Sequence, residues 1–385
     1  MKIVFAPDSF KGSLTSQRAI ELLTEVCGEV IPEAETLGVM IGDGGEGTME
    51  AIADALNGEY KKVRLSMPVR LNEDGSYDEA AVGEGIYAQY LLAGDTALIE
   101  MASASGLTLV PEERRDPRYA TSYGTGEVIL DALKEGCTKL YLMIGGSATN
   151  DGGLGWASAL GCRFLDKNGR QVIPAGCGLA ETVSVDPSGM LEKLKGVSIT
   201  VMCDVTNPLT GPEGATFIYG PQKGAVPEIR DELEAGMIHY ADIIEASCGR
   251  QIRNLSGAGA AGGLAFPLLA YTDAELKSGI STVLELVDFE KKTEGADCVI
   301  TGEGRIDHQS AEGKVLWGIG KSCMERGIPV YAIAGCLGDG AEEVYECGIN
   351  GYVSCVGDGI TVEMSMQDPE RTFRMAAWKL LGSIR

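Results

Sequence analysis

The first fifty residues alternate short apolar segments with polar, glycine-rich loops, and this alternation restricts the fold more than any other feature of the chain. The segment MKIVFA leads into PDSFKGS, and a second apolar segment at residues 36–41 leads into GDGGEGT. Residues 15–29 repeat apolar side chains at the spacing of one helix face, and residues 48–56 form a second predicted helix. This strand–helix–strand–helix order predicts a parallel sheet, which binds ligands at the carboxyl ends of its strands.

The same pattern returns in the last third of the chain. Residues 296–300 are apolar and lead into TGEGRID, which we expect to be another polar loop. Residues 329–334 and 352–356 predict two further parallel strands, with helices between and after them. The two ends of the chain therefore predict one sheet domain.

The middle of the chain has a different pattern. Residues 61–101 read as short alternating strands with turn signals, and helices and strands follow. We therefore expect an α/β protein with a discontinuous Rossmann- or flavodoxin-like parallel-sheet domain, residues 1–65 plus 291–385. A second α/β domain, residues 66–290, is inserted into it.

Polar side chains follow the predicted strands, at the sheet edge where ligands bind. The first loop offers a carboxylate, hydroxyls and a cation, and the second offers two carboxylates among glycines whose N–H groups can approach an anion. A third loop, GGSATNDGG, precedes a predicted helix, and backbone amides at a helix start suit phosphate. The candidate site residues in these and the later loops are Asp8, Ser9, Lys11, Asp43, Glu46, Gly145, Gly146, Ser147, Asn150, Asp151, Asp204, Asn207, Glu303, Arg305 and Asp307.

Two nucleotide-binding motifs nearly occur, and both fail in context. Gly257, Gly259 and Gly262 match G-x-G-x-x-G, but the preceding QIRNL is not a convincing buried strand, which argues against a dinucleotide site and a dehydrogenase. A flexible hinge or a close-packed helix start is favoured there. The run VLWGIGKS has Val315 where a P-loop needs glycine, and it reads as helix, so a P-loop kinase is not expected.

Composition excludes several classes of protein. Lys and Arg number 32 against 56 Asp and Glu, and the net charge of −24 argues against nucleic acid or an anionic membrane as a partner. Only His239 and His308 are present, so a histidine-rich zinc site is not expected and a Ser-His-Asp hydrolase would have to use one of them. Eleven cysteines without a C-x-x-C pair suit buried thiols in a reducing compartment, and no apolar run is long enough to span a bilayer, so a cytoplasmic location is expected.

Nine sequence blocks in order resemble one family. APDSFKGSL, DGGEGT, IEMASASGL, YGTGE, GGSATNDGG, CDVTNPL, GPQKGA, GAGAAGG and TGEGRID are similar to blocks of the bacterial glycerate kinases, a family unrelated to P-loop kinases. The resemblance implies a Rossmann- or flavodoxin-like domain interrupted by a second α/β domain. It also implies ATP-dependent phosphorylation of D-glycerate with Mg²⁺, typically to 2-phosphoglycerate. Residues 69–90 are the least typical part of the chain.

Phosphoryl transfer needs a neutralised triphosphate, a metal held by oxygens and a hydroxyl held in line. We predict that Lys11 and Arg305 supply positive charge to the glycerate carboxylate and the phosphates. Asp43 and Glu46 are the predicted Mg²⁺ ligands, directly or through water. Asp204 is the first choice for the general base on the glycerate hydroxyl.

The other candidates have supporting roles. Asp151 is the second choice for the base, and the predicted binding set is Asp8, Ser9, Gly145, Gly146, Ser147, Asn150, Asn207, Gly257, Gly259, Glu303 and Asp307. In this set the glycine amides would cradle phosphate, and the hydroxyl and amide side chains would orient hydroxyls and phosphate oxygens. Structural roles stay open, because aspartates in loops also cap helices and bind turn amides, and a loop lysine is often merely solvated.

Alternative functions also remain. The chain could form 3-phosphoglycerate, or phosphorylate another hydroxy acid with the same fold. A non-catalytic regulator that binds glycerate or nucleotide is the alternative of another class, although binding alone would not need so many carboxylates beside anionic ligands. The expected partners are D-glycerate and ATP, with a homodimer as the assembly considered.

Overall fold

The computed structural model describes residues 1–42, 44, 47–69, 85–311 and 313–385, and these divide into two compact units. Unit 1 is Met1–Gly58 with Ser278–Arg385, and unit 2 is Glu59–Lys277. These boundaries come earlier in the chain than the expected 65/66 and 290/291. Residues 59–66 form a strand that pairs within the sheet of unit 2, and residues 279–286 form a helix that packs on helices of unit 1.

The described elements are as follows. The strands are β1 (Lys2–Pro7), β2 (Glu35–Gly38), β3 (Glu59–Ser66), β4 (Gly85–Ala93), β5 (Thr96–Glu100), β6 (Lys139–Met143), β7 (Arg163–Leu165), β8 (Ser184–Asp186), β9 (Ser198–Met202), β10 (Glu275–Lys277), β11 (Cys298–Ile306), β12 (Val330–Leu337) and β13 (Ile349–Ser354). The α-helices are α1 (Ser16–Val30), α2 (Thr48–Leu56), α3 (Ala102–Ser105), α4 (Tyr123–Lys134), α5 (Leu154–Ala159), α6 (Ser188–Lys193), α7 (Ala215–Tyr219), α8 (Pro227–Cys248), α9 (Ala260–Gly263), α10 (Phe266–Tyr271), α11 (Gly279–Leu286), α12 (Phe289–Lys292), α13 (Val315–Met324), α14 (Val362–Gln367) and α15 (Pro369–Ile384). No helix of the described chain is both long and apolar enough to cross a membrane.

Unit 1 is built on a five-stranded sheet in the order β13-β12-β11-β1-β2, and every neighbouring pair is parallel. Ile3 and Phe5 of β1 lie opposite Cys298 and Ile300 of β11, and all four side chains are buried. Strands buried in this way read as continuous apolar runs, which is why both segments are recognisable in the sequence. The predicted α/β fold with a parallel sheet is confirmed.

Helix α1 shows why the amino-terminal segment folds as predicted. The Thr15 side chain accepts a hydrogen bond from the backbone N–H of Arg18 and so caps the helix. Leu22, Leu23 and Val26 recur at helical spacing and are fully buried in the core of unit 1. This core also contains apolar residues of α15, so the apolar face of α1 joins the two ends of the chain.

Unit 2 has a six-stranded mixed sheet in the order β10-β9-β6-β5-β4-β3. Its β3, β4 and β5 are antiparallel neighbours, and β5, β6, β9 and β10 run parallel. The core contains Trp156, Phe164, Tyr240 and Phe266, all with 1% exposure or less. Because β6 and β9 pair in parallel, their carboxyl ends lie side by side. The loops that begin at residues 144 and 203 follow these two strand ends.

Strand β11 is longer than the sequence indicates. The predicted strand ends at Ile300 and a loop follows, but β11 continues to Ile306 and pairs with β12 as far as Leu337. The glycines of TGEGRID allow this, because a Cβ at Gly302 would collide with the carbonyl oxygen of Ile333 on β12. Glu303 and Arg305 consequently lie on a strand and not in a loop.

Candidate functional site

A pocket of about 340 Å³ in unit 1 brings together six of the predicted site residues. It lies at the carboxyl end of β1 and the extended end of β11. Its lining consists of Asp8, Ser9, Lys11, Glu303, Gly304, Arg305, Asp307, Gln309 and Lys314. Open α/β sheets bind ligands at this edge.

The pocket forms because β1 and β11 are direct neighbours. Pro7 lies opposite Gly302, and the Asp8 N–H donates to the Gly302 carbonyl oxygen at 2.8 Å. The chain then turns between Phe10 and Leu14, whose backbone groups bond to each other. Phe10 is buried with its ring edge against Phe373, at 5.2 Å between centroids. This anchor leaves Lys11 exposed at the tip of the turn.

The carboxylates of the pocket lie deeper than its cations. Asp8 and Glu303 are 5% and 7% exposed, whereas Lys11 and Arg305 are exposed and Lys314 is half-buried. Three cations around a pocket of this size can neutralise a polyanion, although the chain as a whole carries a charge of −24. The lining also carries three carboxylates, so its charges balance, and the exposed Lys11 and Arg305 are the cations that an anionic substrate can reach.

Asp307 orients two of the polar groups around it. Its carboxylate accepts the Gln309 N–H at 3.0 Å and lies 3.1 Å from Nε of Arg305. The Gln309 side-chain oxygen in turn accepts from Nζ of Lys314 at 3.2 Å. Arg305 keeps 62% of its side chain exposed, so its outer guanidinium face remains open to solvent. Asp307 therefore acts here mainly as a positioning group for the cations.

Ser9 has a distinctive environment. Its N–H donates to the Asp8 carboxylate at 2.7 Å, while its Oγ is buried and has no hydrogen-bond partner among the described residues. A buried hydroxyl without a partner is costly, and such groups often mark ligand sites. Its place in the pocket lining agrees with the predicted role in orienting a substrate oxygen.

Sequence reasoning missed Gln309 and Lys314. Gln309 follows β11 in a short 3₁₀ turn, and Lys314 stands directly before α13. Lys314 could have been identified as a basic residue that stands directly before the predicted helix VLWGIGKS and shortly after the segment TGEGRID. The run VLWGIGKS is helical as predicted, because it forms most of α13.

The two predicted metal ligands, Asp43 and Glu46, lie outside the described residues. Their neighbour Gly44 is described, and its N–H donates to Oγ1 of Thr48 at the start of α2. Among the residues the structure describes, no group of three or more His, Cys, Asp or Glu side chains has an arrangement that could hold a metal ion.

In unit 2, the predicted loops are packed against each other. The Gly152 N–H donates to the Gly262 carbonyl oxygen at 2.9 Å, and the Gly259 N–H donates to that of Asn207 at 3.0 Å. A Cβ at Gly262 would collide with the carbonyl oxygen of Thr149. Residues 256–263 are therefore closely packed, which was one of the two expected alternatives, and residues 249–255 directly before them contain no strand. The predicted phosphate contact of the Gly259 amide does not fit this structure, since that N–H is already bonded.

Asp151 lies in the interior of unit 2. It has no exposed surface, and its carboxylate accepts hydrogen bonds from Ser122 N, Ser122 Oγ, Gly153 N and Gly155 N at 2.8 to 3.2 Å. Burial raises the pKa of Asp151, and these four donors oppose that rise. A carboxylate held in this way fixes the turn into α5. Its position argues for a structural role and against the general base.

Asn150 and Asn207 are also held within the protein. Nδ2 of Asn150 donates to Oγ1 of Thr216 at 3.1 Å, and Asn150 is fully buried. Nδ2 of Asn207 donates to the Glu213 carbonyl oxygen at 2.8 Å, while its Oδ1 accepts from the Tyr219 hydroxyl at 2.6 Å. Both side chains fasten loops, and the amide of Asn207 is left with little capacity for a ligand.

The exposed candidates of unit 2 are few. Gly145 and Gly146 follow β6 with exposed backbone, and Ser147 beside them is buried. Asp204 follows β9 and is exposed. Gly257 is buried with φ of +84°. Of the two aspartates considered as bases, Asp204 is thus the one that a substrate in solution can reach.

Comparison with known proteins decides the family. Residues 3–385 match the family model described as the glycerate kinase family. The chain belongs to the glycerate kinase family. The resemblance seen in the nine sequence blocks is therefore confirmed, as is the expectation of a kinase.

Individual relatives match over almost their whole length. A glycerate kinase of Bacillus subtilis strain 168 is 43% identical over 100% of this chain and 98% of its own. A glycerate 2-kinase of Escherichia coli K12 is 43% identical over 92% of this chain and 90% of its own. A crystal structure assigned as a glycerate kinase 2, from Salmonella typhimurium LT2, is 39% identical and covers 100% of this chain and 98% of its own, with a TM-score of 0.86.

Proposed function

We propose that this kinase transfers the terminal phosphoryl group of ATP to the 2-hydroxyl of D-glycerate and forms 2-phosphoglycerate and ADP. The observation that carries the proposal is membership of the glycerate kinase family over residues 3–385. The choice of the 2-hydroxyl is supported by the similarity to the Escherichia coli protein named a glycerate 2-kinase.

The exposed cations of the unit 1 pocket would supply positive charge to the two substrates. Both substrates are anions, and phosphoryl transfer depends on positioning and on neutralising charge rather than on covalent chemistry by the protein. Arg305 can bind a carboxylate or a phosphate in bidentate fashion, while Lys11 acts as a point charge on a short turn. Lys314 adds a third cation, and Gln309 holds its ammonium in place. Ser9 Oγ would bond a substrate oxygen.

The residue set fits a magnesium ion bound together with phosphates. Mg²⁺ in such sites takes one or two carboxylates, and the phosphates and waters provide the other oxygens. Asp8 and Glu303 place two carboxylates in the pocket lining, and Asp43 and Glu46 remain the proposed ligands from the second loop. When bound, Mg²⁺ held by these carboxylates would supply positive charge that neutralises the phosphates.

Asp204 is the proposed general base. A base must be within hydrogen-bond reach of the hydroxyl proton, and the exposed position of Asp204 at the end of β9 allows a ligand to approach it. Asp204 would accept the proton from the attacking glycerate oxygen. Gly145 and Gly146 would offer backbone N–H groups to phosphate oxygens.

Steady-state kinetics of Lys11→Ala and Asp204→Asn test these roles. We expect kcat/KM to fall at least tenfold in each, which corresponds to about 1.4 kcal/mol of transition-state stabilisation. Lys167→Ala and Asp273→Asn are matched controls, since both residues are exposed and lie outside the pocket and the loops. If Lys11→Ala and Asp204→Asn both keep kcat/KM within about threefold of the wild type, a difference below about 1 kcal/mol, the assigned roles are wrong.

A substrate panel separates the alternatives. ATP consumption with D-glycerate, L-glycerate and other hydroxy acids distinguishes a glycerate kinase from a kinase for a different acid. A non-catalytic regulator would bind glycerate or nucleotide and form no phosphorylated product. A product made only with another acid would overturn the proposed substrate.

Two further proposals concern location and assembly. All eleven cysteines are free, which supports a reducing compartment such as the cytoplasm. Fractionation of cells that produce the protein tests this location. Sedimentation velocity tests the proposed homodimer, and a single species with the mass of one 40.5 kDa chain would refute it.

A further inference from the structure

Lys223, in the block GPQKGA, has no part in the proposed chemistry although it is among the most deeply buried charged groups of the chain. It ends a short 3₁₀ turn, and only 2% of it is exposed. Its Nζ donates to Oγ of Ser147 at 2.7 Å and to the Thr149 carbonyl oxygen at 2.6 Å. Burying an ammonium group is expensive, so its presence needs a reason that an apolar side chain could not satisfy.

Both acceptors lie in the loop GGSATNDGG after β6. The two halves of this loop are held differently. In the second half, a Cβ at Gly153 would collide with Leu264, Pro267 and Trp156, and the Asp151 carboxylate gathers the neighbouring N–H groups. In the first half, nothing lies within 4 Å of a Cβ placed on Gly145, and at Gly146 only Ala102 does, at 3.5 Å. The first half thus has open space beside its glycines, and its backbone is held by an isolated bridge between Gly106 and Ser147 and by the Leu107 N–H, which donates to the Gly146 carbonyl oxygen at 2.9 Å.

Lys223 adds side-chain hydrogen bonds that hold this half of the loop from the opposite segment of the chain. It bonds to Ser147 and Thr149, directly after the two exposed glycines. A lysine that donates to a carbonyl oxygen fixes the direction of that peptide group. The bond from Lys223 to the Thr149 carbonyl oxygen therefore limits the conformations of the residues that precede Thr149.

The segment that carries Lys223 also holds the neighbouring loop. On α7, Oγ1 of Thr216 accepts from Asn150, and the Tyr219 hydroxyl donates to Asn207 in the loop after β9. Residues 213–223 therefore bond to both loops, and Lys223 holds Ser147 and Thr149, which follow the two glycines.

We propose that Lys223 is a positioning residue for phosphoryl transfer, which holds residues 145–149 so that the amides of Gly145 and Gly146 face an anion. It does not touch the reactants, and it acts through the conformation of the loop. The inference rests on the proposed function for its kinetic consequence, but the effect on the loop itself does not.

The test compares the full-length wild type with Lys223→Met, Lys223→Arg and Tyr90→Phe. Methionine keeps the length of the side chain and removes the charge and the donors, and arginine retains both. Tyr90→Phe is the matched control, because it removes a buried hydrogen bond to Asp131 elsewhere in unit 2. Each protein is assayed for kcat, for KM of ATP and of D-glycerate, for its thermal midpoint and for amide hydrogen exchange of residues 144–151.

We expect Lys223→Met to lower kcat/KM for ATP at least tenfold, to leave KM for glycerate within threefold, and to speed exchange of residues 144–151 at least tenfold. Lys223→Arg should show a smaller fall in kcat/KM and a smaller rise in exchange rate than Lys223→Met. Tyr90→Phe should show neither change, although its thermal midpoint is similar to that of Lys223→Met. A loss of activity shared equally by Tyr90→Phe would reveal a general effect of stability and overturn the proposal. So would unchanged loop exchange in Lys223→Met.

The exchange measurement keeps the two proposals separable. If the wild type phosphorylates no glycerate, the proposed function fails, and faster loop exchange in Lys223→Met still supports the positioning of the loop. If Lys223→Met does not fold, Ser147→Ala takes its place, because it removes one of the two acceptors. Exchange of residues 144–151 at the wild-type rate in that variant would overturn the proposal.

Discussion

Asp151 offers the sharpest test of how the site is assembled, because its role can be worked out from its hydrogen bonds. Its Oδ2 accepts from Ser122 N, Ser122 Oγ and Gly155 N, and its Oδ1 accepts from Gly153 N. In Asp151→Asn, an amide oxygen in the Oδ2 position keeps three bonds, but the new NH₂ faces the Gly153 N–H. One buried donor then loses its partner, at a cost of about 1–3 kcal/mol.

Asp151→Ala should cost more. It removes every acceptor and leaves the buried N–H groups of Ser122, Gly153 and Gly155 without this partner, so the free energy of unfolding should fall by at least about 3 kcal/mol. Loss of the desolvated charge offsets part of the cost in both variants, since burial raises the pKa of this carboxyl group.

Urea unfolding followed by Trp156 fluorescence measures this effect in unit 2. Trp156 is fully buried and its backbone N–H donates to Ser122 Oγ, so its indole reports on the same turn. The chain has two other tryptophans, Trp317 and Trp378, and replacing both with phenylalanine leaves Trp156 as the reporter. Asp273→Asn serves as the exposed control.

The kinetics of the same variants decide between structure and catalysis. We expect Asp151→Asn to lose stability and to retain kcat within about tenfold, a change of about 1.4 kcal/mol in the barrier. A variant with wild-type stability and a kcat reduced more than about a hundredfold would show that Asp151 takes part in the reaction, and the structural reasoning would then be refuted.

Three further predictions follow from single residues. Burial lowers the pKa of Lys223 to about 7, against 10.5 for an ordinary lysine, while the negative charge of Asp151 opposes this shift. Between pH 7 and 10.5, the Lys223 side chain is therefore protonated in the unfolded chain and mostly deprotonated in the native state. Urea titrations should show that wild-type stability rises with pH relative to Lys223→Met, by at most about 1.4 kcal/mol per pH unit. A stability difference that does not change with pH would contradict this. Gly262→Ala should destabilise unit 2 by about 2 kcal/mol or more in urea, because its φ of +72° and the nearby Thr149 carbonyl oxygen leave no room for a Cβ, and wild-type stability would be the contrary result. Arg305→Gln should lower kcat/KM about tenfold or more, and an effect below threefold would remove Arg305 from the site.

Much of the fold follows from the sequence because buried parallel strands are continuous apolar runs. The segments that become β1 and β11 are each recognisable, and both lead into polar loops. Since ligand sites form at the carboxyl ends of such strands, the polar residues after β1 and within the end of β11 could be grouped before any contact was known. The pocket of unit 1 brings six of them together.

The sequence gives less information about which polar side chains are buried. NDGG looks like an exposed loop, yet Asp151 is fully buried because its carboxylate meets donors from Ser122, 29 residues earlier in the chain. Lys223 is similar, since its acceptors lie more than 70 residues away. Contacts between distant segments set this burial, and local composition does not record them.

The length of β11 and the contact between Lys314 and Gln309 at the pocket could not be predicted from the sequence. TGEGRID has the glycines of a loop, but its pairing with β12 keeps it extended through Ile306. Lys314 reaches the pocket through its bond to Gln309, a contact that depends on the turn after β11. In each case a tertiary partner overrides the local preference.

NMR of the product tests most directly whether the protein phosphorylates the 2-hydroxyl of D-glycerate. Purified protein is incubated with ATP, MgCl₂ and D-glycerate, and ³¹P and ¹H spectra are compared with those of authentic 2- and 3-phosphoglycerate. A reaction without glycerate and one with Lys11→Ala serve as controls. We expect 2-phosphoglycerate to form in proportion to ADP. Formation of 3-phosphoglycerate would contradict the choice of hydroxyl, and the absence of any phosphoglycerate would contradict the proposed function.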